Sequence, residues 1–209
     1  MTTPLSPTAS PDPNNLPVVR LLPKANARAI RHGFPWVYAN EMVVDRRTKA
    51  LAPGTLAVLE DSARQVMGIV AVNPLSKIFC RMLDQNAEAE VNQSWFEGHI
   101  NRAFQLRDQL YDAPYYRLIH AEADGLPGVV IDRFGDTAAW ADVHLDTLTA
   151  ALIEQTGVKN VLKNAAGRTR ALEGLDDVSG VLHGEAPKGA VPVRMNGAIY
   201  MVDLTGGQK

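Results

Sequence analysis

Short β-prone stretches separated by turn residues fill the first part of this 209-residue chain. They lie at residues 18–22, 34–38, 55–59, 65–72 and 77–83, and Pro53-Gly54 and Asn73-Pro74 are among the turns between them. A short helix is predicted over residues 26–33, because Asn26 can cap its start and Gly33 can end it. Several short strands within about seventy residues are typical of a small closed β-barrel.

The hydrophobic period changes near residue 90. Ser94-Trp95-Phe96-Glu97 has the pattern of a capping box, and apolar residues then recur at helical spacing up to Pro114. From residue 115 we predict two strands, a helix at 146–156, and strands at 159–162, 178–182 and 198–204. The predicted fold class is α+β, with a small β-barrel followed by a helix-linked β-β-α-β-β central domain.

These patterns divide the chain into four predicted segments. They are a tail (1–17), a β-barrel (18–90), a linking helix (91–114) and a central α+β domain (115–209). The tail contains five prolines, together with Ser, Thr and Asn, and is expected to be disordered. No apolar run is long enough to cross a bilayer, and no positively charged leader precedes one. The single cysteine fits a reducing compartment, so we expect a cytoplasmic protein with no membrane partner.

The charge of the chain is unevenly distributed. Residues 18–83 carry ten Lys or Arg against four acids, a net charge of +6, whereas the whole chain is at −2. A basic domain on an acidic body favours a polyanionic partner, although an uneven solvated surface explains the charge equally well. The candidate RNA-contacting residues are Arg20, Lys24, Arg28, Arg31, His32, Arg46 and Arg47.

Aromatic residues lie next to these cations. Phe34, Trp36 and Tyr38 alternate along one predicted strand, and exposed aromatic rings would stack on unpaired bases. The same spacing would also place all three inside the barrel. We favour the core for Trp36 and regard the cations as the better RNA candidates.

Catalytic constellations are scarce. Cys80 lies inside an apparent strand with no His or Asp beside it, so we expect a buried, inert thiol. The cluster of His120, Glu122, Asp124, Asp132 and Asp136 matches no known metal-ligand spacing. Turn formation, and an ion pair between Asp132 and its neighbour in sequence, explain these residues more simply. No metal and no catalytic residue are therefore expected, and an enzyme site at Cys80 or His120 is the least favoured reading.

Two runs of sequence resemble a known family. Residues 116–136 look like its signature: Tyr116-Arg117-Leu118-Ile119, Glu122, Asp124-Gly125-Leu126-Pro127-Gly128, Ile131-Asp132-Arg133 and Gly135. His32-Gly33-Phe34-Pro35-Trp36-Val37 resembles the start of a PUA domain in the same family. The family is that of the class I S-adenosylmethionine (SAM)-dependent rRNA large subunit (cytosine-C5) methyltransferases that carry an N-terminal PUA domain.

The resemblance implies a PUA-like RNA-binding barrel, an rRNA partner, and SAM as the cofactor of the full-length family. The final residues 204–209 resemble the start of a segment at the edge of the family's methyltransferase domain. No glycine-bearing loop followed by a strand-terminal acid is present, so we expect a Rossmann-like methyltransferase domain to be absent.

The chain is accordingly expected to be the N-terminal part of such an enzyme, one that binds and orients RNA. It would lack the cofactor site and the catalytic cysteine, hold no SAM and be inactive by itself. The alternative is a stand-alone RNA-binding or ribosome-associated adaptor with no catalytic activity. A homodimer is left open.

Overall fold

The computed structural model describes residues 16–141, 145–165, 170, 174–195 and 197–205. The predicted disordered tail therefore lies, except for its last two residues, outside the described residues. Within them, two five-stranded sheets and a separate two-stranded sheet form the β-structure, and four α-helices accompany them.

The first sheet is a small barrel. Its strands are β1 (Val18–Arg20), β2 (Trp36–Tyr38), β3 (Thr55–Glu60), β4 (Val66–Val72) and β5 (Ile78–Asp84), in the order β1-β3-β4-β5-β2. Strand β1 pairs with β3 in parallel, and the other pairs are antiparallel. Just beyond the two edge strands, Leu21 pairs with Met42 in an isolated bridge. This bridge joins the edges of the sheet and so closes the barrel.

Two short helices accompany the barrel. Helix α1 (Ala27–Arg31) begins at Asn26, whose side chain accepts a hydrogen bond from the Ala29 amide, as the sequence predicted. Helix α2 (Arg46–Lys49), which was not predicted, begins at Asp45 with a capping box. The barrel core is mainly aliphatic, with Phe79 as a buried aromatic, and includes buried residues from every strand, among them Val37, Leu59, Val70 and Cys80.

Helix α3 (Gln93–Leu110) leads out of the barrel. Its first turn is capped by Asn92, whose side chain accepts from the Trp95 amide, so the predicted cap at Ser94 is wrong by two residues. Asn is as good a cap as Ser, and the apolar face begins equally well from either position. The helix ends before Pro114, as predicted.

The second sheet runs in the order β10-β9-β8-β7-β6. Its strands are β6 (Tyr115–His120), β7 (Val130–Phe134), β8 (Thr137–Ala141), β9 (Asn160–Lys163) and β10 (Gly180–His183). Strands β8 and β9 are parallel, because α4 (Leu145–Thr156) carries the chain back over the sheet between them. The other neighbouring strands in this sheet are antiparallel.

Two helices cover one face of the second sheet. Ile100 on α3 and Leu152 on α4 share one buried cluster with Leu118, Ile131 and Val161 from the strands. The prediction of a single covering helix was therefore incomplete. Helix α3 was read as a connector, whereas its buried side chains make it part of this core.

A hairpin covers part of the opposite face. It consists of β11 (Val191–Met195) and β12 (Ala198–Val202), and its residues Val191 and Val202 pack with Leu162, Phe134 and Leu204. The sequence predicted the second strand but missed the first, because Pro192 interrupts the β-prone run. Proline is tolerated here since a two-stranded sheet has only edge strands.

Among the described residues, no helix combines the length and apolarity needed to span a membrane.

Candidate nucleic-acid interface

Two of the seven predicted RNA-contacting residues are engaged within the barrel. Both Nε and Nη2 of Arg20 donate to Oε2 of Glu60, at 3.0 and 2.7 Å. Arg31 Nη2 donates to Oδ2 of Asp61 at 2.6 Å, and this hydrogen bond is the main reason why the pKa of Asp61 is lowered. The charges of both arginines are thus partly balanced by acids at the end of β3, and each ion pair ties an outer segment to that strand.

Three further predicted cations project into solvent. Lys24, Arg28 and Arg46 are exposed, and within the described part of the chain their side chains have no charged partner. The Arg47 side chain is 95% exposed, with its nearest acid, Asp45, at 3.7 Å. These four side chains are available to a polyanion.

His32 lies at the end of α1. Its Nδ1 is 2.7 Å from the carbonyl oxygen of Arg28, so that nitrogen donates to the helix end. The ring is therefore fixed against α1 and is exposed beside the Arg28 backbone.

The aromatic strand points outward. Val37 is fully buried, whereas Phe34 and Tyr38 are 43% and 38% exposed, and Phe34 meets Trp36 edge to face. The alternative that Phe34, Trp36 and Tyr38 all face the barrel interior is therefore wrong. Strand alternation assigns the interior to Val37 instead.

Trp36 takes part in a contact between the barrel and the second sheet. Its indole Nε1 donates to Oε1 of Glu122 at 2.7 Å, and Arg81 Nη1 lies 3.4 Å from the same oxygen. We call these three residues the Glu122 junction. Arg81 and Glu122 are only 18% and 22% exposed, so the contact is largely shielded from water. The expectation that Glu122 merely orders a turn was wrong, because its carboxylate reaches across to strands β2 and β5.

The other acids of the predicted cluster are likewise paired one by one. Asp124 accepts two hydrogen bonds from Arg107 at 2.7 Å each and one from the His120 amide.

Asp132 pairs with Arg117 across the strands, not with Arg133 as predicted. Arg133 instead lies over the rings of Phe104 and Tyr116, at 5.1 and 6.0 Å from their centroids. Asp136 pairs with Lys159 at 2.9 Å.

The same acids do not converge on a metal. Among the described residues, no group of three or more His, Cys, Asp or Glu side chains is arranged to hold a metal ion.

The Cys80 thiol is fully buried in strand β5, and burial raises its pKa. A thiolate is therefore disfavoured, and the expectation that this thiol is buried is confirmed. Within the final segment 204–209, residues 206–209 lie outside the described residues.

The first part of the chain matches a known family. Residues 19–85 match the PUA-like domain family, so the barrel is a PUA-like domain.

The chain is also similar to curated proteins over most of its length. It is 32% identical over 197 residues to the ribosomal RNA large subunit methyltransferase I of Aliivibrio fischeri and 30% identical to the protein of that name from Vibrio campbellii. In both cases the match covers 90% of this chain and 49% of the relative. The chain thus spans about half the length of the curated relatives it matches.

Solved structures share the fold. A structure assigned as a SAM-dependent methyltransferase from Streptococcus mutans matches with a TM-score of 0.71 and 15% identity. That match covers 89% of this chain and 48% of the other. A methyltransferase structure complexed with SAH matches with a TM-score of 0.72 and 16% identity, over 92% of this chain and 48% of the other. At this identity the likeness concerns the fold alone.

These matches correct two expectations. The fold class was expected to lack a Rossmann-like methyltransferase domain, yet almost the whole chain follows the fold of methyltransferase structures, so that expectation is wrong. The expected function, an RNA-binding portion without a cofactor site, is contradicted by the similarity of 90% of this chain to the rRNA methyltransferase relatives. The error arose from treating one missing local motif as evidence about the fold, whereas the fold is shared here at 15% identity.

We predict that Glu122→Ala lowers the free energy of unfolding by about 1–3 kcal/mol, because the Trp36 indole and the Arg81 guanidinium lose a shielded acceptor. Glu122→Gln should cost less, since its amide oxygen can still accept from the indole. Urea denaturation followed by tryptophan fluorescence measures both. The control is Glu88→Ala, which removes an exposed glutamate and should change stability by less than about 0.5 kcal/mol. Equal losses in Glu122→Ala and Glu88→Ala would contradict the junction.

Proposed function

We propose that this chain acts in the SAM-dependent methylation of 23S rRNA, as a member of the class I cytosine-C5 methyltransferases, with its PUA-like barrel binding the RNA. The observation that carries the proposal is the 32% identity, over 90% of the chain, to a ribosomal RNA large subunit methyltransferase I. The SAH-bound structure with the same fold supports SAM as the cofactor.

The charge of the barrel supports its role in RNA binding. The stretch from residue 18 to residue 83 has a net charge of +6, and Lys24, Arg28, Arg46 and Arg47 extend their charges into solvent. Phosphate contacts by such side chains release counterions from RNA, so affinity should fall as salt rises. Phe34, next to α1, and Tyr38, at the other end of β2, are exposed and could stack on unpaired bases. Arg20, Arg31 and His32 would assist from positions partly fixed by their own partners.

The predicted segments have separate roles in this proposal. The barrel segment (18–90) contacts RNA, and the linking helix (91–114) packs on the central domain. The central domain (115–209) presents Glu122 to the barrel from the turn between β6 and β7. The Glu122 junction would then hold the RNA-binding surface at a fixed angle to the rest of the enzyme.

SAM supplies an electrophilic methyl group when it is bound. A cleft on the barrel, between β1 and α2, does not suit this cofactor. Its single carboxylate, Asp45, already accepts from the backbone amides of Arg47 and Thr48 and is not free to hold a ribose. We therefore derive no methyl-transfer step from that cleft.

In keeping with an rRNA substrate, we propose that the protein acts in the cytoplasm, and we include a homodimer as part of the proposal.

Deletion of the gene should remove one 5-methylcytosine from 23S rRNA, and a plasmid copy of the gene should restore it. Mass spectrometry of nuclease-digested 23S rRNA from the parent, deletion and complemented strains makes the measurement. An unchanged set of methylated cytosines in the deletion strain would contradict the proposed activity.

Arg28→Glu should weaken binding to a 23S rRNA transcript and reduce the slope of log affinity against log salt by about one, as expected for one lost phosphate contact. Fluorescence anisotropy at salt concentrations between about 50 and 200 mM measures the slope. Over this range, the loss of phosphate contacts produces a large change in affinity. Lys188→Glu is the matched control, because it makes the same charge change at an exposed site outside the barrel. If both variants changed the slope equally, RNA binding would not be centred on the barrel.

A further inference from the structure

The barrel carries a cleft between β1 and α2. Its volume is about 480 Å³, and its lining residues are Pro17, Val18, Arg20, Val43, Asp45, Arg47, Thr48 and Leu51. The position of Val43 is set by the backbone, since its amide donates to the Arg20 carbonyl at 2.8 Å. The cleft is thus held by the same pairing that closes the barrel.

The walls of this cleft are mainly apolar and its rim is cationic. Val18 and Val43 remain 51% and 38% exposed, so the cleft presents aliphatic surface to solvent. Of the three charged residues, Arg20 is paired with Glu60 and Asp45 caps α2, and hydrogen bonds from the α2 backbone and Thr48 lower the pKa of Asp45. Arg47 is left as the charge that a ligand can reach.

We propose that this cleft takes an unpaired nucleobase of RNA, with the adjoining phosphate held by Arg47. The inference rests on the proposed function and adds a specific place where single-stranded RNA enters. An apolar wall covers the face of a base well, and a guanidinium is suited to phosphate. The net charge of +6 on residues 18–83 favours a polyanion over an apolar protein segment as the occupant.

The geometry also predicts a preference for single strands. In a duplex the base faces are covered by their stacking neighbours, so only an unstacked base can present its face to Val18 and Val43. Because the walls offer few polar groups, the cleft should accept different bases with similar affinity.

The chain provides two matched pairs of variants. Val43 and Val44 are each 38% exposed, but only Val43 lines the cleft. Arg46 and Arg47 are neighbours on α2, but only Arg47 lines it. Val43→Glu against Val44→Glu, and Arg47→Glu against Arg46→Glu, therefore compare equal charge changes inside and outside the cleft.

The probe is a single-stranded RNA decamer that carries one 2-aminopurine, and binding is followed by both anisotropy and 2-aminopurine fluorescence. With the unmodified chain, fluorescence should rise on binding as the base leaves its stack. Val43→Glu and Arg47→Glu should abolish this rise and lower affinity about tenfold. Val44→Glu should keep the rise and change affinity about twofold or less. Arg46→Glu should also keep the rise, although the loss of its phosphate contact weakens binding, so the rise is the readout that separates Arg46 from Arg47. Circular dichroism confirms folding, and the arginine pair, on the surface of α2, decides the matter if Val43→Glu does not fold.

Binding without a fluorescence rise, or loss of the rise in both members of each pair, would overturn the cleft and leave RNA binding by the barrel in place. Failure of the unmodified chain to bind either the decamer or a 23S rRNA transcript would overturn the cleft together with RNA binding by the barrel.

Discussion

One carboxylate connects the two halves of this structure. Glu122 accepts from Trp36 on strand β2 and lies beside Arg81 on strand β5, so it ties the barrel to the turn between β6 and β7. The turn is shaped to present it. Ala121 has φ +45°, and Gly125 ends the turn with φ +72°, where an added Cβ would come within 2.8 Å of the His99 ring. A second contact, from the Trp95 indole to Asp84 at 2.9 Å, ties α3 to the end of β5.

The basic residues of the barrel serve two purposes. Arg20 and Arg31 pair with consecutive acids at the end of β3, which fixes β1 and α1 to the sheet, and their side chains stay 36% and 44% exposed. Arg28 and Arg47 turn outward and have much of their charge available. Net charge alone cannot separate these two groups, since both count equally toward a basic segment. The separation matters for function, because only an exposed cation can exchange water and counterions for a phosphate.

Local signals predicted much of the secondary structure. Asn26 caps α1, and α4 is followed by Gly157 with φ +64°, because caps and stops depend on a few neighbouring atoms. The missed elements also have local causes: Pro192 concealed β11, and α2 is a single turn too short for a periodic pattern. The Glu122 junction could not be predicted from the sequence, because Trp36 and Glu122 are 86 residues apart and neither segment indicates its partner. The cleft likewise depends on barrel closure, which brings Val18 and Val43 to the same surface.

We propose that the barrel is the RNA-contacting surface of an rRNA methyltransferase. Ultraviolet cross-linking of the protein to 23S rRNA, with the cross-linked peptides identified by mass spectrometry, tests this claim most directly. The account predicts cross-links in peptides that contain residues 18–51, above all next to Arg28, Phe34 and Arg47. Cross-links confined to residues 115–205, with none in the barrel, would contradict it.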